Sequence, residues 1–499
     1  MRTNEPTSGD LWVGVDVGTQ SLRVLLVDES GTVVSRGAGR LTSHRWGVRH
    51  EQDPAQWWRV FGEVCRRVLA GHRADRVRGL AICGTSGTFL LAGRSGEPRT
   101  RALMYDDGRA EAEVEEVATA GAELWASLGY AMQRSWALPK LLWLRRHGPD
   151  DLRADLEGGR VELLHCADYL ARRLTGGPVA TDWSHALKTG YDLDSSSWPV
   201  AVLDKLGLPV DVLPPVVRPG TQIGRVNAAG AAHSGLPIGL PVRAGMTDGC
   251  AAQIAAGTLA AGSWNSVLGT TLVLKGVSME RLADPHGAVY SHRHPDGGWL
   301  PGGASNVGAG VLEAWFPHTD RTELDHAAAR YEPASGLAYP LVTRGERFPF
   351  VRPEAESFEL GTFSSQAERY AAVLQGVAFV ERLCYASLRR LGARTDGPLA
   401  LTGGATRSRY WCQLRADVLG HEVVLPGSPE PAFGMAVLAA AGDGPVTEAA
   451  SRLVRVAHVV SPRPGATARF AAPYARFIDA LADRGYVDDD LAAFAKGEL

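Results

Sequence analysis

The chain has 499 residues, 45% of them apolar and 21% charged, and a formal net charge of −3. That length is too great for one hydrophobic core and predicts two domains, or three, of ordinary enzyme composition, while the near-neutral charge gives no reason to expect nucleic acid or an anionic membrane as partner. Six scattered cysteines without a C-x-x-C pair argue against a disulfide framework or a zinc site. The polar start MRTNEPTSGD and the lack of a bilayer-length apolar run complete the expectation of a cytoplasmic protein.

Residues 11–31, LWVGVDVGTQSLRVLLVDESG, read as two strands joined by a glycine turn. Asp16 is an acid inside an apolar strand, two residues before that turn. A buried carboxylate is costly unless paired; a metal ion near a phosphate is one natural partner, and Arg23 brings a positive charge close by. The turn offers backbone N–H groups and the hydroxyls of Thr19 and Ser21 to an anion. The plainer alternative is an ordinary hairpin in which Asp16 caps a turn.

Residues 32–40 continue as a third strand. Asp53-Pro54 then opens a helix in which Trp57, Trp58, Phe61, Val64 and Val68 recur at helical spacing, the tryptophans as core anchors. Residues 77–91 are again β, interrupted by Cys83-Gly84-Thr85-Ser86-Gly87-Thr88, which either hydrogen-bonds a polyol or is a plain loop. Met104-Tyr105-Asp106-Asp107-Gly108-Arg109 either binds sugar hydroxyls or forms a structural salt bridge. Residues 136–144 open a helix with Pro139 near its start, and residues 163–174 read as another, ended by Gly176-Gly177. Residues 181–188 form an ordered polar segment with an Asp182-x-Ser184-x-Ala186 pattern. Proline and glycine punctuate residues 200–240, the approach to a domain boundary near 240.

The second half repeats the grammar. A short strand at 241–246 leads to Thr247-Asp248-Gly249 and a helix of small residues, with Asp248 suited to cap it. SWNSVLGTTLVLKG, residues 263–276, is again strand, Gly-Thr turn, strand, and suggests a duplicated fold with nucleotide phosphates held between the two hairpins. GGASNVGAG, residues 302–310, is a glycine run entering a helix. A long helix spans 366–391. A strand at 398–401 runs into Thr402-Gly403-Gly404-Ala405 and a helix, an arrangement that can pack on an adenine ring or a phosphate. After Pro431 comes a final alanine-rich helix, and the segment past about 460 reads as peripheral.

Taken in order, GVDVGTQSLRVLLVD, MYDDGR, AGMTDGCAA, SVLGTTLVL, GERFP, LTGGATRSRYWCQLRADVLG and AFGMAVLAA resemble the FGGY carbohydrate kinases over residues 11–442. The resemblance implies an α/β fold of two duplicated actin-like, ribonuclease-H-like domains with a nucleotide and sugar cleft between them. It assigns 1–240 to an N-terminal sugar-binding domain and 241–499 to a C-terminal nucleotide-binding domain. It implies ATP and Mg²⁺ as cofactors, and a homodimer is common in such families. Carried over by position, Asp248 becomes the catalytic base and a sugar contact, and Ser86 a second sugar contact. Asp16 becomes the acid near Mg²⁺ and Thr19 part of the first phosphate turn. Gly269 and Thr270 form the second phosphate turn, with Gly308 beside the nucleotide; Gly403, Gly404 and Ser408 form the adenosine segment.

GTSGTFLL, ALMYDDGR, SWALPKLLWL and SHALKTGYD resemble the D-ribulose kinase or plant-type xylulose kinase branch. Bacterial xylulokinases usually carry Met-His where Thr85-Ser86 stands. The implied reaction is transfer of the γ-phosphate to the terminal hydroxyl of a ketopentose, D-ribulose in the first place, D-xylulose or another ketose or polyol in the second. Gly249, Cys83-Gly84, Ser408 and Thr402 depart from the family's usual residues and bear on the sugar more than on the reaction. The absence of G-x-x-x-x-G-K-[ST] excludes a P-loop enzyme. The actin-like fold also serves ATPases without a sugar substrate.

Overall fold

The structure, a computed structural model, describes residues 9–497. Residues 1–8 of the polar N-terminal stretch lie outside the described residues. The chain forms two compact units: one from the chain up to Gly257 with His292–Gly297 and Ser428–Arg455, the other from Thr258–Ser291, Gly298–Gly427 and the chain from Val456 onward. The boundary at 240 read from the sequence therefore falls inside the first unit. The reason is a helix pair. Asp248–Ala256 and Pro431–Ala441 are rich in alanine and glycine, and their backbones approach so closely that a Cβ on Gly434 would lie 2.0 Å from the Ala251 carbonyl oxygen.

The main sheet of the first unit runs in the order Val33–Arg40, Ser21–Asp28, Leu11–Val17, Val77–Gly84, Pro241–Arg243, Gln222–Arg225. Leu11–Val17, Val77–Gly84 and Pro241–Arg243 are parallel, and the flanking strands are antiparallel. Val13, Val15, Val24, Leu26, Leu80 and Ile82 are buried in its core beneath the helix Pro54–Leu69, which Asp53 caps through Ala55 N–H. Trp57 is buried there as expected, while Trp58 is half-buried and stacks on His233 with ring centroids 4.0 Å apart.

The second unit's sheet contains, in order, Trp299–Ser305, Leu272–Gly276, Trp264–Leu268, Leu399–Thr402, Val423–Pro426 and Val456–Val460. It has the same pattern, three parallel strands between antiparallel neighbours. Helix Gln366–Arg390 crosses its core. By length and composition it passes for a membrane span, yet 94% of its apolar window is buried inside the fold.

Three local expectations change. Residues 163–165 belong to the strand Val161–His165, paired with Phe89–Gly93, and the helix begins at Cys166. A short apolar run buried on both faces has no period that separates strand from helix. The glycine run 302–310 does enter a helix, Gly310–Trp315, but its first four residues belong to the strand Trp299–Ser305. The segment past 460 is core, not periphery: helix Ala466–Ala482 buries Phe470, Tyr474, Phe477, Ile478 and Leu481 against Gln366–Arg390, and Pro431–Ala441 is not the last helix.

Candidate functional site

In the first unit, the three parallel strands bring the chemistry to their carboxyl ends, the place where open α/β sheets bind ligands. Asp16 lies opposite Cys83 on one side and Arg23 on the other. Gly84 forms a bridge to Thr247, which places the Ser86 turn next to Asp248. Asp16 is 2% exposed and accepts a hydrogen bond from Arg23 Nη1 at 3.0 Å. Its pKa is nevertheless pushed up to about 6, by burial first and then by the Asp248 charge, with Arg23 pulling the other way. Arg23 is half exposed, so water screens much of its attraction.

Asp248 is the first residue of its helix, with Thr247 as N-cap; its Oδ1 accepts from Gly249 N at 2.7 Å. Ser86 Oγ is buried and has no hydrogen-bond partner among the described residues. Near Thr19, the Tyr105 phenol has its pKa raised by burial and then by the charges of Asp106 and Asp248, with Thr19 pulling slightly the other way. Asp16, Thr19 and Asp248 thus share one neighbourhood with Tyr105.

The carboxylates of the MYDDGR segment are spoken for. Asp106 faces His50 Nδ1 at 2.5 Å and accepts from Arg45 at 2.7 Å; Asp107 accepts from Arg109 Nε at 2.8 Å and from His50 N at 2.7 Å. The salt-bridge reading holds for these residues, and Tyr105 is the member turned toward the site. Lys140, fully buried, donates to the carbonyls of Gly87 and Met104 at 2.8 Å each, tying the Ser86 turn to the Tyr105 segment. Burial pushes its pKa down to about 7.

In the second unit, Gly269, Thr270, Gly404 and Ser408 line one cavity of about 480 Å³, within the range of small-molecule sites. Gly308 and Gly403 act behind it. A Cβ on Gly308 would lie 2.4 Å from the Thr270 carbonyl oxygen, so the glycine lets this segment support the 269–271 turn, and Ala309 N donates to Gly269 O at 2.8 Å. Gly403 has φ +89°, and a Cβ there would lie 2.5 Å from Leu268 O. Ser408 caps helix Arg409–Leu419 by accepting from Trp411 N at 2.9 Å and donates to Asp325 Oδ2 at 2.6 Å; Tyr370 donates to the other Asp325 oxygen at 2.9 Å.

Sequence reasoning singled out neither Asp325 nor Tyr370, because they reach the cavity from helices with no motif of their own. Tyr105 was legible only as a member of MYDDGR. Among the described residues, no group of three or more His, Cys, Asp or Glu side chains forms a metal cage. The Asp16–Asp248 pair does suit Mg²⁺, which is held through one or two carboxylates together with substrate phosphates.

Residues 11–255 match the N-terminal domain, and residues 264–442 the C-terminal domain, of the FGGY family of carbohydrate kinases. The chain is 32% identical over 445 residues to the xylulose kinase of Streptomyces coelicolor, covering 87% of this chain and 88% of that one. It is 27% identical over 470 residues to the autoinducer-2 kinase of Yersinia enterocolitica, covering 88% and 87%. The structure of xylulose kinase from Rhodospirillum rubrum superposes with a TM-score of 0.84 at 26% identity, over 94% of this chain and 98% of that one. The duplicated sheets, the two Gly-Thr hairpins and these matches agree, and the chain belongs to the FGGY family of carbohydrate kinases.

Proposed function

We propose that this ATP-dependent sugar kinase phosphorylates a terminal hydroxyl of a ketopentose, with D-xylulose favoured over D-ribulose. The observation that carries the site reading is the coupling of Asp16 and Asp248: one carboxylate is buried and held near pKa 6, partly by the charge of the other. Like charges placed together at strand ends are costly for folding and suit a divalent cation and a base. In this reading Asp248 takes the proton from the attacking hydroxyl, most simply the C5 hydroxyl. Asp16, with Asp248 near it, holds Mg²⁺, which when bound neutralises phosphate charge. The Gly18-Thr19 turn of the first unit and the Gly269-Thr270 turn of the second each carry hydroxyl and backbone N–H groups of the kind that bind phosphate. The cavity bearing Gly404 and Ser408 takes the adenosine, with Gly308 and Gly403 keeping its walls in shape. The partnerless Ser86 hydroxyl is a donor for the sugar.

Two lines of support bear on the sugar and diverge. The xylulose kinases of Streptomyces coelicolor and Escherichia coli match across 87% and 86% of the chain, which favours D-xylulose. Thr85-Ser86 in place of Met-His favours D-ribulose, but it is two residues, and Thr85 is spent on Thr88 at 2.7 Å. The autoinducer-2 kinase among the relatives shows that substrates vary at this distance.

The test is a coupled ADP-release assay with Mg²⁺ against D-xylulose, D-ribulose, other ketoses and polyols, beside Asp248→Ala. Turnover should be strongest with D-xylulose and fall by about 10²–10⁴-fold in the variant. Strongest turnover with D-ribulose would move the assignment to the Thr85-Ser86 reading. Turnover indifferent to every sugar would overturn the ketopentose assignment.

A further inference from the structure

The Asp182-x-Ser184 pattern has no part in the site as described so far, yet it reaches the residue before the proposed base. Asp182, Ser184 and His185 are all buried. Asp182 Oδ1 caps the short helix Trp183–Leu187, accepting from Ser184 N at 2.7 Å, His185 N at 3.2 Å and the Ser184 hydroxyl at 2.5 Å. Its other oxygen accepts from His185 Nδ1 at 2.5 Å. Burial works against both charges, but each stabilises the other, leaving Asp182 below and His185 well above their ordinary pKa. With an ionised, acceptor-only carboxylate on one side, the Ser184 hydroxyl has a single orientation. It donates to Asp182, and its oxygen accepts from Thr247 N at 2.9 Å, 63 residues along the chain.

Thr247 is the N-cap of the helix that begins at Asp248, and its own side chain makes no capping hydrogen bond. Gly84 bridges the same residue. The backbone from which the Asp248 carboxylate projects is therefore gripped twice, by a strand end and by Ser184. We propose that Ser184, oriented by the Asp182–His185 pair, is a positioning residue for Asp248. By fixing the Thr247 peptide, it sets the placement of the carboxylate against the attacking hydroxyl. The inference rests on the reading of Asp248 as the base.

The test compares Ser184→Ala and Ser184→Thr with Asp248→Asn, measuring kcat, KM for ATP and for the favoured sugar, and the melting temperature. Small displacements of a reacting group carry large rate effects, so Ser184→Ala should lose about 10- to 100-fold in kcat. Its KM for ATP should stay within about twofold, the split that marks an interaction felt in the transition state. Ser184→Thr, which keeps the hydroxyl, should recover most of the loss at unchanged KM for ATP. A Ser184→Ala kcat near wild type would overturn the proposal. So would a loss in which kcat, both KM values and melting temperature deteriorate together, because that is the pattern of general destabilisation. If Asp248→Asn remains active, the base reading falls and takes this proposal with it; if it is inactive while Ser184→Ala is unimpaired, only the positioning role falls.

Discussion

Two hairpins open the two sheets, and one of them alone carries a buried carboxylate. Leu11–Val17 pairs antiparallel with Ser21–Asp28 and parallel with Val77–Gly84; Trp264–Leu268 pairs antiparallel with Leu272–Gly276 and parallel with Leu399–Thr402. Both turn at Gly-Thr. Gly18 N donates to Ser21 O and Gly269 N to Thr271 O, each at 3.1 Å. Two residues before the glycine, the first hairpin has Asp16 between Arg23 and Cys83. The second has Val267 between Val273 and Thr402. The strand pairing is shared but the turns are not identical: the first closes between Gly18 and Ser21, three residues apart, and the second between Gly269 and Thr271, two apart. The buried carboxylate belongs to one copy alone. The duplicated architecture thus repeats its strand pairing without repeating this chemistry, and the first hairpin bears the cost of a buried acid that the second avoids.

That cost can be measured. Asp16 titrates near 6 in the folded chain against 3.8 ordinarily. Below about pH 4 the carboxyl is protonated whether folded or unfolded; above pH 6 it is ionised in both, and the difference removes about 3 kcal/mol from stability. Asp16→Asn should therefore raise the melting temperature by a few degrees at pH 7–8, with the gain shrinking as pH falls from 6 to 4. In the same variant kcat should fall by about 10²-fold or more, since the carboxylate proposed to hold Mg²⁺ beside the phosphates is lost. The wild-type enzyme should show an acid limb in kcat/KM near pH 6. A variant both less stable and fully active at pH 8 would break the contrast between the hairpins.

The strands of both hairpins were legible because valine and leucine runs bounded by Gly-Thr leave few other structures open. So was Asp16, since an acid in an apolar strand is an anomaly that asks for a reason. Asp248 needed the family resemblance, as any Asp before a run of small residues also reads as a cap. Asp325 and Tyr370 were hidden because their role comes from two distant helices meeting at one cavity, and no spacing records that. The C-terminal helix Ala466–Ala482 was misplaced for a related reason. Its apolar face is evident only once Phe379 is seen packed against Phe470 and Tyr474.

The glycines at the ends of Val77–Gly84 and Leu399–Thr402 sharpen the comparison from the side of stability. Gly84 ends Val77–Gly84, and a Cβ there would meet Cys166 Sγ at 2.1 Å, the end of a side chain. Gly403 follows Leu399–Thr402 at φ +89°, with the carbonyl oxygen of Leu268 2.5 Å from where a Cβ would sit. Gly403→Ala combines left-handed strain with a backbone collision and should cost about 3 kcal/mol. Urea unfolding should show that loss, and no neighbouring side-chain truncation should restore it. Gly84→Ala should be relieved by Cys166→Ala, because there the obstacle can be removed. Equal rescue of both would mean that the two strand ends are alike after all.

The smallest effect concerns Ser408, at the start of the helix that follows the strand Leu399–Thr402 of the second unit. Its hydroxyl caps a helix through Trp411 N and at the same time holds one oxygen of Asp325 at the cavity. Ser408→Ala removes both contacts. The lost cap costs about 1 kcal/mol, a small decrease in melting temperature. The freed carboxylate keeps only Tyr370 as a described hydroxyl partner and gains freedom to swing across the cavity. The KM for ATP should rise about threefold to tenfold, with kcat and the KM for sugar nearly unchanged, since the loss is of ground-state binding. Ser408→Asn offers the helix an equally good cap but cannot reproduce the short hydroxyl bond to Asp325. It should recover the melting temperature and leave the KM for ATP raised, separating the capping role of this serine from its role at the cavity proposed for the nucleotide.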